Sequence, residues 1–190
     1  CLVTIKVSAI EKVILFGDSL MAGYGLPKEQ HLSVVLQKNL EIEGHNIEIV
    51  NGSVSGSTSA GGLNIAEWTL SQSDIDLMIL CLGANDMLRG INPAETKNNL
   101  EQIIQIAKNK NIKIIIAGMI APTSYGSAYK ESFDKIFSDL SIKYNLQLIP
   151  FLLEGVAQKP EFNLSDGMHP NAQGTIIIGN TLKKAILENL

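Results

Sequence analysis

Hydrophobic positions along this chain follow two alternating rhythms. Short, mainly apolar runs recur over 12–16, 47–50, 76–82, 112–119 and 146–149, the pattern of strands covered on both faces. Between them the apolar residues spread to helical spacing. Leu32, Val35, Leu36 and Leu40 form one stripe, and Gly44 ends that helix. Residues 65–70 predict a second helix, with Trp68 on its apolar face. A third is predicted over 93–108, with Pro93 in its first turn and Leu100, Ile103, Ile104 and Ala107 on its core side. Phe133, Ile136, Phe137 and Leu140 mark a fourth, and Ile178, Leu182, Ala185 and Ile186 a closing helix from Ala172. Five strand–helix alternations with short connections predict a five-stranded parallel sheet between two helical layers. Right-handed crossovers make a flavodoxin-like strand order the natural arrangement. The expectation is a three-layer α/β/α sandwich, one domain over residues 1–190, with little pattern in the first ten.

Composition narrows the class further. Hydrophobic residues make up 45% and charged residues 18% of the 190, which fits a globular chain rather than a disordered one. A formal net charge of -4 offers no basic footprint, so nucleic acid is not an expected partner. The longest apolar run, 112–120, is broken by Lys113 and falls short of the roughly 18 residues a membrane span needs. Cys81 lies in an apolar run and reads as a small buried hydrophobe. Cys1 opens the sequence, and two readings stay open: a lipid-modified mature start or a truncation. A start processed at Cys1 agrees with a periplasmic or secreted location, with a lipid anchor as one option and the cytoplasm as the alternative. Oligomeric state is not legible.

In an open α/β sheet ligands bind beyond the carboxyl ends of the strands, and the polar punctuation falls there. Gly17-Asp18-Ser19-Leu20 follows the first predicted strand, and a glycine- and serine-rich stretch over 51–62 follows the second. Gly83-Ala84-Asn85-Asp86 follows the third. That glycine-rich stretch is no P-loop, because no Gly-Lys-Ser/Thr follows, and it lacks the G-x-S-x-G spacing of a nucleophile elbow. Of the three histidines, His31 and His45 flank a polar-faced helix and are expected in solvent. His169 sits in a turn three residues after Asp166. A carboxylate there can fix the imidazole tautomer and leave the other nitrogen as a base. An Asp capping the last helix beside a packed His would read the same way. Ser19 is either a turn or cap residue or a nucleophile that needs such a base. Asp18 and Asp86 read as loop hydrogen-bond acceptors. Gly56 offers a backbone N–H at a point of close approach, and Asn85 a side-chain amide. Neither the histidines nor the cysteines have metal-ligand spacing, and no dinucleotide fingerprint follows the first strand, so neither a metal nor a cofactor is expected.

These motifs, in this order, resemble the SGNH (GDSL) hydrolases: Gly17-Asp18-Ser19-Leu20, Gly56, Gly83-x-Asn85-Asp86 and Asp166-x-x-His169-Pro170. Met21-Ala22-Gly23-Tyr24, Leu88-Arg89-Gly90, Ala121-Pro122-x-x-Tyr125-Gly126 and Gly167-Met168-His169-Pro170-Asn171 are similar to the bacterial branch of thioesterases, lysophospholipases and arylesterases. The resemblance implies Ser19 as nucleophile, His169 as general base and then acid, and Asp166 as its orienting carboxylate. It implies an oxyanion hole from the Ser19 and Gly56 amides and the Asn85 side chain. Two positions depart from the pattern: Ala84 stands where a second glycine is common, and Ser57 where a relative carries Asp. Leu88, Ile91, Ile120, Pro122, Tyr125 and Phe151 either line an acyl groove or pack their own loops. With no basic cluster to receive coenzyme A phosphates, carboxylic esters rank above thioesters, and carbohydrate O-deacetylation is a further option. A flavodoxin-like small-ligand binding module is the non-enzymatic alternative.

Overall fold

The computed structural model describes residues 12–71 and 74–189. Five parallel strands, β1 (Lys12–Gly17), β2 (Glu48–Asn51), β3 (Leu77–Cys81), β4 (Lys113–Ala117) and β5 (Gln147–Ile149), lie in the order β2-β1-β3-β4-β5. This is the flavodoxin-like order expected from the alternation. Burial explains the sequence pattern. The central strands β1, β3 and β4 are almost wholly buried, whereas the edge strands β2 and β5 are only partly covered. Cys81 is fully buried among them, and burial pushes its thiol pKa well above the usual value.

Among the described residues seven α-helices accompany the sheet: α1 (Ser19–Ala22), α2 (Leu32–Ile42), α3 (Ser59–Thr69), α4 (Ala84–Leu88), α5 (Pro93–Asn109), α6 (Ser127–Tyr144) and α7 (Ala172–Leu187). α2 packs on α7, α3 on α5, and α5 on α6, which forms the two outer layers of the α/β/α sandwich. The stripe residues Leu32, Leu36 and Leu40, then Leu100, Ile103 and Ile104, then Phe133, Ile136, Phe137 and Leu140, all enter the core. Among the described residues no helix is long and apolar enough to cross a membrane.

Several sequence expectations need correction. The glycine- and serine-rich stretch over 51–62 is not a connector throughout, because α3 begins inside it. Thr58 caps that helix by accepting from the Gly61 N–H at 3.2 Å, a cap contact that offsets the poor helix propensity of Gly61 and Gly62. Gly62 sits tight against the core, where an added β-carbon would press on Leu82 Cδ1 and make that side chain shift. Trp68 does not face the core but is 74% exposed. α1 and α4 were hidden in what read as turns, being too short to show a periodicity. His31 and His45 are half-buried rather than solvated, and the His31 ring donates to the Leu26 carbonyl at 3.0 Å. Cys1 and the first ten residues lie outside the described residues.

Candidate active site

Because all five strands run parallel, the loops after β1, β2 and β3 emerge at one edge of the sheet, and a hydrogen-bond chain spanning 150 sequence positions shows that the turn before α7 reaches the same place. Each piece has a local cause. Asp18 caps α1, its carboxylate accepting from the Leu20 N–H at 3.0 Å. The cap is therefore Asp18, and Ser19 becomes the first helical residue with its side chain free of that duty. At the other end of the chain, Asn171 caps α7 by accepting from the Gln173 and Gly174 N–H groups. This removes the reading of Asp166 as the cap of the last helix.

Asp166 instead organises its own turn. Its Oδ1 accepts from the Met168 N–H at 2.9 Å and the His169 N–H at 3.0 Å. Leu164 N–H closes the turn on the His169 carbonyl at 2.7 Å. Asp166 Oδ2 then receives His169 Nδ1–H at 2.7 Å, and His169 Nε2 lies 2.9 Å from Ser19 Oγ. With Nδ1 carrying the proton shared with Asp166, Nε2 is left to accept from the serine hydroxyl. The backbone N–H groups of His169 and Met168 lower the Asp166 pKa to about 2, with the imidazole adding to the effect, so the carboxylate stays charged through ordinary pH. Tyr24 packs against the imidazole, with ring centroids 4.5 Å apart and the planes tilted by 40°.

The other candidate donors lie in the loop after β2 and on α4, after β3. Gly56 holds φ +78 in a turn closed by Ser57 N–H on the Val54 carbonyl at 3.0 Å. Among the described residues neither the Ser19 nor the Gly56 N–H is spent on another group. The Asn85 side chain donates to Ser57 O at 3.1 Å and to Asp18 Oδ2 at 3.2 Å. It projects from α4, whose start depends on Gly83 at φ +117. The strained position belongs to Gly83, and Ala84 is already helical, which is why alanine is accommodated there. Ser57 turns its hydroxyl onto the Thr58 carbonyl, a bond local to the loop.

Two buried carboxylates support this frame. Asp86, one residue beyond Asn85, accepts from the Ser59 N–H at 2.7 Å, from the Ser59 hydroxyl and from Thr96 Oγ1. It ties α4 to the starts of α3 and α5, a longer reach than the loop role expected of it. Asp18 is fully buried, and that burial raises its pKa to about 6, opposed by hydrogen bonds from Leu20 and Asn85 and by the charge of His169. Its folded pKa lies above the ordinary value of 3.8, so the native state holds the extra proton between the two values. Stability from this group is present at low pH and lost as pH rises through about 6. Asp18→Asn is expected to remove that dependence: between pH 7 and 5, the melting temperature of wild type gains on that of the variant.

The sequence profile of the GDSL-like Lipase/Acylhydrolase family matches residues 15–175. The chain belongs to this family. It is 35% identical over 182 residues to the arylesterase of Vibrio mimicus, covering 96% of this chain and 91% of that one. It is 32% identical over 185 residues to thioesterase 1/protease 1/lysophospholipase L1 of Escherichia coli K12, covering 97% and 88%. The crystal structure of TesA superposes with a TM-score of 0.89 at 33% identity, over 95% of this chain and all of that one. As a GDSL-family hydrolase the protein is a serine esterase, which sets aside the non-enzymatic binding module. The suggested groove residues divide by exposure: Leu88, Ile120 and Pro122 are open to solvent, whereas Ile91, Tyr125 and Phe151 are half-buried and the last two pack against the core. Arg89 and Tyr24, whose roles sequence reasoning missed, both touch this frame, Arg89 at the Gly56 carbonyl and Tyr24 at the His169 ring. Helical spacing was the available signal for Arg89, which stands four residues after Asn85.

Proposed function

We propose that this enzyme cleaves carboxylic esters of acyl chains, short- to medium-chain acyl and aryl esters and lysophospholipids among them, through an acyl-enzyme on Ser19. The unbroken chain from Asp166 through His169 to Ser19 Oγ, at 2.7 and 2.9 Å, carries the reading. Ser19 Oγ attacks the ester carbonyl while His169 Nε2 takes its proton. The carbonyl oxygen becomes an oxyanion facing the unspent N–H groups of Ser19 and Gly56 and the Asn85 amide. Both Asn85 hydrogens are already engaged, so its share in this hole requires exchange of the Ser57 carbonyl for the oxyanion. Collapse of the tetrahedral intermediate breaks the ester C–O bond, and the alcohol leaves with the proton from His169. Water, deprotonated by His169, then releases the acid and restores Ser19.

Leu88, Ile91, Ile120, Pro122, Tyr125 and Phe151 are the proposed acyl-contacting residues, with exposed Leu88 and Ile120 the most available. Ester preference over thioester follows from the chain's lack of a cationic cluster for coenzyme A phosphates. The Escherichia coli relative's name includes thioesterase activity, which keeps thioesters as the second reading, with carbohydrate O-deacetylation behind it. A hydrolysis profile over acyl chain length, with nitrophenyl esters beside matched acyl-CoA thioesters and Ser19→Ala as the blank, tests the ranking. Higher kcat/KM on esters at every length is expected. Higher values on thioesters reverse the ranking.

A further inference from the structure

Gly56 is a poorly supported place for a group that must hold its position. It is exposed, and a β-carbon built on it meets nothing within 4 Å, so side-chain packing does not fix it. What holds it is hydrogen bonding. One tie is the turn closure from Ser57 N–H to Val54 O. The others come from a single five-residue helix, α4: Asn85 Nδ2 donates to Ser57 O at 3.1 Å, and Arg89 Nη2, from the residue closing that helix, donates to Gly56 O at 2.9 Å. Asn85 and Arg89 stand four apart on one face, and the Arg89 N–H closes on the Asn85 carbonyl at 3.2 Å. Two consecutive carbonyls of the loop after β2 are thus gripped by two side chains of one helical turn.

These two grips fare differently during the reaction. The Asn85 amide has two hydrogens, directed at Asp18 and Ser57. If the oxyanion takes the one directed at Ser57, that tie to the loop is lost as negative charge develops. The Arg89 bond does not compete with the oxyanion and persists. We infer that Arg89 is a positioning residue for the oxyanion hole: by holding the Gly56 carbonyl, it keeps the Gly56 N–H aimed while Asn85 turns to the substrate. This rests on the reading of Gly56 and Asn85 as hole donors. The contribution falls mainly in the transition state, so it belongs in kcat rather than KM.

The test compares Arg89→Met, Arg89→Lys and Arg89→Ala with Asn85→Ala as reference, on a short-chain nitrophenyl ester. Affinity for a phenylboronic acid, which forms a tetrahedral adduct with the serine, is measured in parallel. Arg89 is exposed, so these variants are expected to keep the wild-type melting temperature. Arg89→Met should lose about tenfold in kcat, the scale of one charge-assisted hydrogen bond, with KM within about twofold and boronate affinity falling in step with kcat/KM. Arg89→Lys should recover part of the loss, and added guanidinium ion should raise kcat of Arg89→Ala but not of wild type. Wild-type kcat in Arg89→Met, or a loss carried only by KM, overturns the positioning role. Asn85→Ala tells the two failures apart. A drop on the order of 10²–10³ there with normal Arg89 variants sinks only the role of Arg89. A normal Asn85→Ala sinks the hole assignment beneath it.

Discussion

Ser19→Ala is expected to lower kcat on a nitrophenyl ester on the order of 10⁵- to 10⁶-fold, with KM nearly unchanged. The side chain contributes a single atom to the proposed chemistry, but every later step needs the acyl bond formed on it. His169→Ala should cost about as much, because it removes the base 2.9 Å from Ser19 Oγ, and a neutral serine hydroxyl without one is a weak nucleophile. The double variant should be no worse than either single one. Groups that act as one unit give losses that do not add. Additive losses in steady-state kinetics would mean that Ser19 and His169 act in separate steps. Residual turnover in the single variants should remain above the uncatalysed rate, because the Ser19 and Gly56 N–H groups belong to the backbone and survive both substitutions.

Asp166→Asn is expected to reduce kcat about 10⁴-fold, more than a mere loss of orientation would suggest. The turn itself decides this. Asp166 uses Oδ1 for two backbone N–H groups and Oδ2 for the imidazole. An asparagine that keeps its oxygen on the two amides must point its NH₂ at His169 Nδ1. That nitrogen then becomes an acceptor, the ring proton moves to Nε2, and Nε2–H faces Ser19 where a lone pair is needed. Among the described residues no backbone carbonyl accepts from Nδ1, so no substitute restores the tautomer. The loss should lie in kcat, and it should lessen at high pH, where a hydroxide-assisted route bypasses the imidazole. Near-normal kcat at neutral pH would show that the ring is oriented by something other than Asp166.

Much of this arrangement is legible in the sequence. β1, β3 and β4 read correctly because strands covered on both faces must be apolar throughout. α2, α5, α6 and α7 read correctly because each is long enough to repeat its stripe. The short helices α1 and α4 did not, since four or five residues display no period and their glycines and carboxylates resemble turn punctuation. Trp68 misled because one large aromatic near an apolar run is weak evidence of a face. At the site, residue types and order identified the candidates, but they could not distinguish a cap from a charge partner. That needed Asn171 and Asp18 to be seen filling the cap positions. The engagement of the Asn85 amide by Ser57 and Asp18, and the reach of Arg89 to Gly56, depend on side-chain directions that no spacing rule supplies.

The central claim is that a covalent bond forms at Ser19. Treatment with a serine-directed alkyl phosphonate, followed by intact-mass and peptide mass spectrometry, addresses it directly. One adduct per chain, on the peptide containing Gly17-Asp18-Ser19-Leu20, forming in step with loss of esterase activity and absent from Ser19→Ala, is the predicted result. Full activity in the labelled protein, or an adduct on another residue that tracks inactivation, would contradict it.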